Sequence, residues 1–230
     1  MKFVVLTGAG ISAESGLATF RDSDGLWEGH RPEDVATPEA FEADPMMVQR
    51  FYDERRASLK DVEPNAAHRA LARLEEALGD DFLLVTQNVD DLHERGGSKR
   101  VLHMHGRLKV ARCTECGERT HWEGPLIDQP SCPHCSLRAL RPDVVWFGEV
   151  PYGLDEIDMT LRQCSTFVSI GTSGNVYPAA GFSAFARAVG AHTVELNMEP
   201  SLGADCFKEH HHGPATKVVP QWVDRFLASR

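Results

Sequence analysis

Near its start the chain reads Phe3-Val4-Val5-Leu6-Thr7-Gly8-Ala9-Gly10-Ile11-Ser12-Ala13, an apolar run that ends in a glycine turn. Short apolar runs bounded by turn residues are typical of buried strands. The G-x-G-x-x-A pattern lets backbone N–H groups approach an anionic group at a helix N-terminus, as in dinucleotide-binding βαβ units. The stretch predicts a strand, a glycine turn and the start of a helix, although the pattern is weak on its own.

Three later apolar runs resemble this first strand: Phe82 to Thr86, Thr166 to Ile170 and Thr193 to Leu196. The turns that follow them are Gln87-Asn88-Val89-Asp90, Gly171-Thr172-Ser173-Gly174 and Asn197-Met198-Glu199. Ligands of an open parallel sheet bind at the carboxyl ends of the strands, so we expect these turns to converge on one crevice. Any single turn is consistent with ordinary loop chemistry, whereas all of them together favour a shared nucleotide site.

Helical segments separate these strands, which predicts an α/β fold: a Rossmann-like parallel sheet with helices on both faces. One helix opens at Pro64-Asn65-Ala66-Ala67-His68 and ends near Gly79, and we expect His68 to pack against it or cap it. Two more helices are predicted, over Tyr177 to Val189 and over Gln221 to Leu227.

Two stretches interrupt the alternation of strands and helices. Leu26 to Glu63 reads as helical and polar, and Arg107 to Val145 carries most of the cysteines. We interpret both as insertions that together build a small domain. The predicted division gives residues 1–27, 64–106 and 146–230 to the Rossmann-like domain, and residues 28–63 and 107–145 to the small domain.

Four of the six cysteines form two C-x2-C pairs, Cys113 with Cys116 and Cys132 with Cys135, separated by fifteen residues. Two such pairs can complete a tetrahedron of thiolates around Zn²⁺, and a full set of four protein ligands is typical of a structural site. Disulfides and redox dithiols are the alternatives. Cys164 and Cys206 lie outside the pattern and are expected to be small core residues.

Composition narrows the classes of function. A hydrophobic content of 42% and a charged content of 25% are typical of a globular protein. The 24 basic against 34 acidic residues give a net charge of −10, which disfavours binding to nucleic acids and to anionic membranes. The apolar runs of the chain are far shorter than the roughly 20 residues of a membrane span. Met1-Lys2 leads into a predicted strand, not into the apolar region of a signal peptide. We therefore expect a cytoplasmic protein.

Taken in order along the chain, these motifs resemble those of the sirtuins, the NAD-dependent protein lysine deacylases. The resemblance rests on Gly8-Ala9-Gly10-Ile11-Ser12, Phe20-Arg21, Thr86-Gln87-Asn88-Val89-Asp90, His105-Gly106, the cysteine pairs, Gly171-Thr172-Ser173 and Val194-Glu195-Leu196-Asn197. Ala36-Thr37-Pro38, Phe51-Tyr52-Asp53-Glu54-Arg55-Arg56 and Val145-Trp146-Phe147-Gly148-Glu149 resemble segments of the bacterial class III branch. Val89 departs from the family, which usually has Ile there.

The resemblance implies that NAD is consumed as a co-substrate while an acyl group leaves a protein lysine, giving nicotinamide, 2′-O-acyl-ADP-ribose and free lysine. His105 would be the general base and Asn88 would orient the ribose hydroxyls and water. His103 would point to the opposite face of an extended segment. The implied cofactor-binding residues are Gly8, Ala9, Gly10, Ser12, Ala13, Phe20, Arg21, Trp27, Gln87, Asn88, Asp90, Gly171, Thr172, Ser173, Asn197, Glu199 and Ala215.

For the acyl substrate, Tyr52 and Arg55 are three residues apart on a predicted helix and therefore share one face. A guanidinium and a phenol together suit a carboxylate, and Ala36 leaves room for a longer acyl chain. With the family resemblance, this predicts removal of succinyl and malonyl groups as well as acetyl. The alternative puts Arg55 on a solvated charged face. Contacts to the acylated protein are expected from Val145, Phe147, Gly148 and Glu149.

Two other classes of function are consistent with parts of the sequence. A nicotinamide oxidoreductase would use the same glycine turn and strands. A non-enzymatic zinc-ribbon adaptor would use only the module from Cys113 to Cys135, and it leaves His105 and the strand-end turns unexplained.

Overall fold

A parallel sheet of six strands organises the fold. The computed structural model describes residues 2–17, 27 and 29–230. In chain order the strands are β1 Lys2–Thr7, β2 Phe82–Thr86, β3 Val101–His103, β4 Gly106–Cys113, β5 Arg119–His121, β6 Leu140–Val144, β7 Cys164–Ile170, β8 His192–Asn197 and β9 Glu209–His212. The helices are α1 Pro32–Val35, α2 Pro38–Ala43, α3 Pro45–Ser58, α4 Ala66–Leu78, α5 Leu92–Arg95, α6 Leu154–Leu161, α7 Phe182–Ala188 and α8 Ala215–Ala228.

The large sheet has the order β3-β2-β1-β7-β8-β9. All of its pairings are parallel, which requires crossovers that place helices on the faces. Helices α4 and α8 cover one face through a core that includes Leu71 and Val219, and α6 and α7 cover the other through Ile157 and Ala186. The predicted α/β architecture is therefore confirmed. The order reverses between β1 and β7, and such a switch point is where ligands bind.

The two predicted insertions have different structures. Helices α1 to α3 share a core with Leu108 and Trp146, while β5-β4-β6 form a three-stranded antiparallel sheet that carries the cysteines. Strand β4 begins at Gly106, one residue before the predicted boundary. The division into two domains stays a prediction.

The predicted helix after the glycine turn is wrong for the described residues up to 17. Two short 3-10 turns, Ala9–Ile11 and Ala13–Ser15, stand in its place. Gly10 donates its N–H to the carbonyl of Gly171 on a neighbouring strand end, and the backbone turns left-handed at Gly16, where φ is 98°. The left-handed turn at Gly16 ends any helical run within these residues.

Two helix boundaries also differ from the prediction. Helix α8 begins at Ala215 instead of Gln221, because the burial of its apolar face at Val219 and Trp222 outweighs the hydrogen bond lost at Pro220. Helix α7 begins at Phe182 instead of Tyr177 and follows a short 3-10 turn. Among the helices of the described residues, none combines the length and apolar content that a bilayer span requires.

Candidate functional site

The floor of the site is a contact between two backbones at the switch point. Gly10 donates its N–H to the carbonyl of Gly171 over 2.9 Å. A Cβ on Gly10 would lie 2.7 Å from the Cα of Gly171, and one on Gly171 would lie 2.4 Å from the nitrogen of Ile11. Only glycine fits at either position, and Gly171 also has a φ of 61°. The turns after β1 and β7 thus meet as one surface.

A cavity of about 910 Å³ lies above this floor, large enough for a dinucleotide. The predicted convergence of the strand-end turns on one crevice is confirmed. From the predicted cofactor set, the cavity is lined by Gly8, Ala9, Gly10, Ser12, Trp27, Gln87, Asn88, Asp90, Gly171, Thr172, Ser173, Asn197 and Glu199. The cavity is also lined by Val176, Tyr177 and Pro178, which the sequence analysis missed because it placed Tyr177 in a helix. Pro178 was the signal that the residue before it does not favour a helical conformation.

Two predicted cofactor residues among those that the structure describes, Ala13 and Ala215, are not part of this set. Ala13 is exposed and is not among the lining residues. Ala215 is buried in the core beneath α8, and its side chain does not line the cavity. Phe20 and Arg21 lie outside the described residues.

A buried network of hydrogen bonds fixes the polar side of the cavity. The Ser12 hydroxyl donates to Asp90 over 3.0 Å and accepts from the amide of Asn88 over 3.1 Å. The other oxygen of Asp90 accepts the N–H of Leu92 at 3.0 Å. Burial raises the pKa of the Asp90 carboxyl, opposed by these two hydrogen bonds. Asn88 and Asp90 are thereby oriented before any ligand binds.

His105 borders the same cavity and has a defined tautomer. Its Nδ1 lies 3.2 Å from the carbonyl of Gln87. A carbonyl can only accept, so Nδ1 donates and Nε2 keeps its lone pair. Burial lowers the pKa of His105, partly offset by this hydrogen bond. The imidazole is therefore neutral near pH 7 and can act as a base through Nε2.

The neighbouring histidines are committed to other contacts. His103 is buried, with Nδ1 at 3.0 Å from the carbonyl of Asn88 and Nε2 at 2.8 Å from Glu94. His68 accepts the N–H of Asn65 on Nδ1 at 3.2 Å, which completes a capping box for α4. His103 is absent from the cavity lining, as the alternation along the segment predicts, and His68 caps its helix as expected.

Tyr52 and Arg55 both line the far part of the cavity from α3. Tyr52 is fully buried, and its hydroxyl accepts from Nε1 of Trp146 over 3.0 Å. Burial raises the pKa of Tyr52, so the phenol stays protonated. Arg55 stacks on the ring of Phe51, with Cζ 3.3 Å from the ring centroid, and donates Nη1 to the Phe51 carbonyl over 2.7 Å. Phe51 therefore sets the plane of the guanidinium.

The alternative of a solvated charged face fits only some of the charged residues around Arg55. Arg56 is buried and pairs with Asp53 at 2.5 Å, while its Nε donates to the carbonyl of Leu108 over 2.6 Å. Asp53 in turn accepts the backbone N–H groups of Leu126 and Ile127. Asp53 and Arg56 therefore hold the helix in place, whereas Glu54 is exposed.

The segment from Val145 to Glu149 lies along one wall of the cavity. Val145 donates its N–H to the carbonyl of His105, and Phe147 donates its N–H to the carbonyl of Ala36, each at 2.9 Å. The carboxylate of Glu149 is bound by Arg141 at 2.8 and 2.9 Å. Arg112 and the N–H of Trp146 bind it as well, so this carboxylate holds the wall in place, and a contact of Glu149 with the substrate stays a prediction.

The four predicted zinc ligands converge at one point. The Sγ atoms of Cys113 and Cys135 are 3.6 Å apart, those of Cys116 and Cys132 are 3.8 Å apart, and all four lie within 4.8 Å of one another. Bonds of about 2.3 Å in a tetrahedron place thiolates about 3.8 Å apart. The cysteines are free, with separations far longer than a disulfide bond of about 2.05 Å. The donor set fits a structural zinc ion.

The two C-x2-C pairs of this site have the same backbone turn. Gly117 donates its N–H to the carbonyl of Cys113, and Ser136 donates to that of Cys132, at 3.0 and 2.8 Å. Gly117 and Ser136 both have positive φ, at 76° and 64°. Only the first of these two turn residues is a glycine, so the equivalence of the two C-x2-C pairs becomes visible only in the structure.

Comparison with known proteins is consistent with this site. The Sir2 family matches residues 8–178. The chain is 58% identical to the NAD-dependent protein deacylase of Salmonella typhimurium strain LT2 over 98% of its own length and 84% of that protein. It is 57% identical to the protein of the same name from Escherichia coli strain K12, over 98% of this chain and 82% of that one.

Solved structures give the same result. A Sir2 homologue in complex with NAD is 40% identical, with a TM-score of 0.90, and the match covers 99% of this chain and 90% of that one. A Sir2 homologue in complex with ADP-ribose has a TM-score of 0.91 at 39% identity, over 99% and 93%. The chain belongs to the Sir2 family, and the resemblance found in the sequence is confirmed.

Proposed function

We propose that the NAD-dependent protein deacylase activity of this Sir2-family chain extends from acetyl to succinyl and malonyl groups on lysine. The observation that carries the proposal is Arg55, a cation that lines the acyl end of the cavity with its plane set by Phe51. The products would be nicotinamide, 2′-O-acyl-ADP-ribose and free lysine. Acylated proteins and peptides are the substrates.

The cavity floor and its polar side suit the cofactor. Gly8, Gly10 and Gly171 line the cavity, and the absence of their side chains lets the turns after β1 and β7 pack closely as the surface on which the cofactor would rest. When bound, NAD supplies an electrophilic C1′ on its nicotinamide ribose. Asn88 and Asp90, oriented by Ser12, would bind the ribose and the carboxamide at that end.

His105 would be the general base in this reaction. Its lone pair is on Nε2, because Nδ1 donates to Gln87, and its lowered pKa keeps it neutral. It would accept the proton of a ribose hydroxyl, which becomes the acyl acceptor. Asn88 would hold the hydroxyls in place for that transfer.

The acyl end of the cavity combines one cation, one phenol and a small residue. Arg55 offers a planar fork suited to a carboxylate, and Tyr52 keeps its hydroxyl proton because its pKa is raised. Ala36 is also part of the lining, and a larger side chain there would shorten the acyl pocket. The backbone from Val145 to Gly148 would flank the extended peptide, next to the half-exposed ring of Phe147.

The test is to compare kcat/KM for acetyl- and succinyl-lysine peptides in Arg55→Met and in Arg50→Met, an exposed matched control on the same helix. Loss of a charge-assisted contact costs about 2 to 4 kcal/mol, roughly 30-fold to 1,000-fold in kcat/KM for succinyl-lysine. Turnover of acetyl-lysine should stay within a few-fold. Tyr52→Phe should give a smaller loss of the same kind, since one neutral donor disappears.

Equal losses for both peptides in Arg55→Met would assign Arg55 to the helix or the cofactor, and the extension to acidic acyl groups would be withdrawn. Mass spectrometry of each peptide with and without NAD gives the companion measurement. Deacylation that does not require NAD would contradict the deacylase assignment itself.

A further inference from the structure

We infer that Glu195, His210 and His212 form a second metal site, for a divalent first-row transition ion such as Zn²⁺. This site is separate from the four cysteines. Among the described residues, two groups of three or more His, Cys, Asp or Glu side chains have donor atoms that all lie within 4.8 Å of one another. One group is the four cysteines, and the other is Glu195 with His210 and His212.

The strand geometry brings the three side chains together. Glu195 lies on β8 and His210 lies on β9, and the two are direct partners in the parallel pairing. His212 is two residues after His210, so alternation along the strand places both imidazoles on one face of β9. His211 lies on the opposite face, where its Nε2 is 2.6 Å from Glu209.

The distances suit a metal ion. One oxygen of Glu195, Oε2, is 3.2 Å from Nδ1 of His210 and 3.1 Å from Nε2 of His212. Nitrogen and oxygen ligands at about 2.0 to 2.1 Å from a tetrahedral zinc are about 3.3 Å apart. Two imidazoles and one carboxylate are a ligand set that borderline divalent ions prefer.

Burial divides the site into an anchor and two accessible ligands. The side chain of Glu195 is 1% exposed, while those of His210 and His212 are 36% and 37% exposed. A metal can therefore reach the imidazoles from solvent and complete its coordination with water. The buried carboxylate would gain a neutralising charge.

The anchor also reaches the large cavity. The other oxygen of Glu195, Oε1, accepts the N–H of Ser201 at 3.0 Å, and Ser201 lines the cavity after β8. A metal held by Glu195, His210 and His212 would tie β8, β9 and this loop together. The predicted role is a structural clamp.

The experiment uses protein whose cysteine site is already loaded with one zinc, titrated with further Zn²⁺ by calorimetry and checked by metal analysis. We expect one additional zinc per chain in the wild type and in His211→Ala, the matched control on the other face. Affinity should fall at least tenfold in His210→Ala and in His212→Ala. At a hundredfold excess over Kd, the added zinc should raise the wild-type Tm by about 5 to 10 °C.

A wild-type protein that takes up no zinc beyond the first equivalent would overturn the inference, whatever the variants do. So would a second equivalent that persists in both His210→Ala and His212→Ala, or one that His211→Ala loses equally. In such a result, the Glu195 cluster would be a hydrogen-bonded brace without a metal.

Discussion

The carboxylate of Asp53, on helix α3, accepts the backbone N–H of Leu126 in the zinc module over 2.8 Å. Two more hydrogen bonds join α3 to residues 107–145, the insertion that carries the cysteines. Gln49 donates to the carbonyl of Leu140 over 2.8 Å, and Arg56 donates to the carbonyl of Leu108 over 2.6 Å. The helix that carries Tyr52 and Arg55 is therefore attached to the segment that contains the cysteines. We expect a metal bound by these cysteines to affect the position of this helix.

Removal of the zinc should unfold the cysteine module and abolish deacylation, because a module with a small core depends on metal binding for its folding free energy. Cys113→Ser should have the same effect, while Cys206→Ser, outside the cluster, should not. Metal analysis and activity before and after chelation give the measurement. Full activity in protein that contains no zinc would disprove this dependence.

Gly10→Ala should weaken NAD binding and destabilise the fold. The new Cβ would lie 2.7 Å from the Cα of Gly171, a backbone atom that cannot turn aside. Overpacking of this kind costs about 1 to 3 kcal/mol. Gly124→Ala is the control, since its nearest contact would be 3.8 Å from Nε1 of Trp122. The measurements are the Tm from thermal unfolding and the Kd for NAD from calorimetric titration. A Tm and a Kd equal to those of the wild type would show that the backbone at Gly171 can move to accept the new Cβ.

His105→Tyr should abolish deacylation of every acyl type while the fold remains intact. Since the base must be neutral and burial lowers the pKa of His105, the acid limb of kcat/KM in the wild type should lie below the ordinary histidine value of about 6.5. His121→Tyr, at an exposed position of the zinc module, should keep wild-type activity. An acid limb above pH 7, or an active His105→Tyr variant, would remove His105 from the base role.

Local sequence signals were enough to predict the large sheet and its crevice. Strand β2 has the predicted bounds, and the turns after β1, β2, β7 and β8 line one cavity, because strand and turn propensities are encoded by adjacent residues. The cysteine spacing likewise predicted a cluster that the structure brings together. Each of these signals spans only a few residues.

Features that depend on distant partners were not predictable in this way. The hydrogen bond from Trp146 to Tyr52 joins residues 94 positions apart, and it gives the buried phenol a partner. The contacts of the Glu149 carboxylate with Arg141 and Arg112 join residues 8 and 37 positions apart, and no local pattern indicates them. The residues of α8 before Pro220 were not predicted as helical, because proline has a low helix propensity. Tertiary packing overrides that propensity, and the local sequence does not reveal such packing.

The buried histidines should make the protein lose stability as the pH falls from neutral. Burial lowers the pKa of His68 to about 4 and that of His93 well below the ordinary value, and the two rings lie 4.9 Å apart. The unfolded chain binds protons on these residues from about pH 6.5 downward, whereas the folded chain keeps His68 neutral until about pH 4. Between these values, His68 alone should reduce the free energy of unfolding by about 3 kcal/mol.

His68→Gln isolates this effect, because glutamine at the third helical position can still accept the N–H of Asn65 and complete the capping box, yet it does not titrate. Urea unfolding between pH 4 and 7.5 should therefore give a shallower loss of stability in His68→Gln than in the wild type. His121→Gln, which removes an exposed histidine, should reproduce the wild-type slope. Identical slopes for His68→Gln and the wild type would mean that the folded protein protonates His68 as readily as the unfolded chain does, and burial would then have no part in its acid sensitivity.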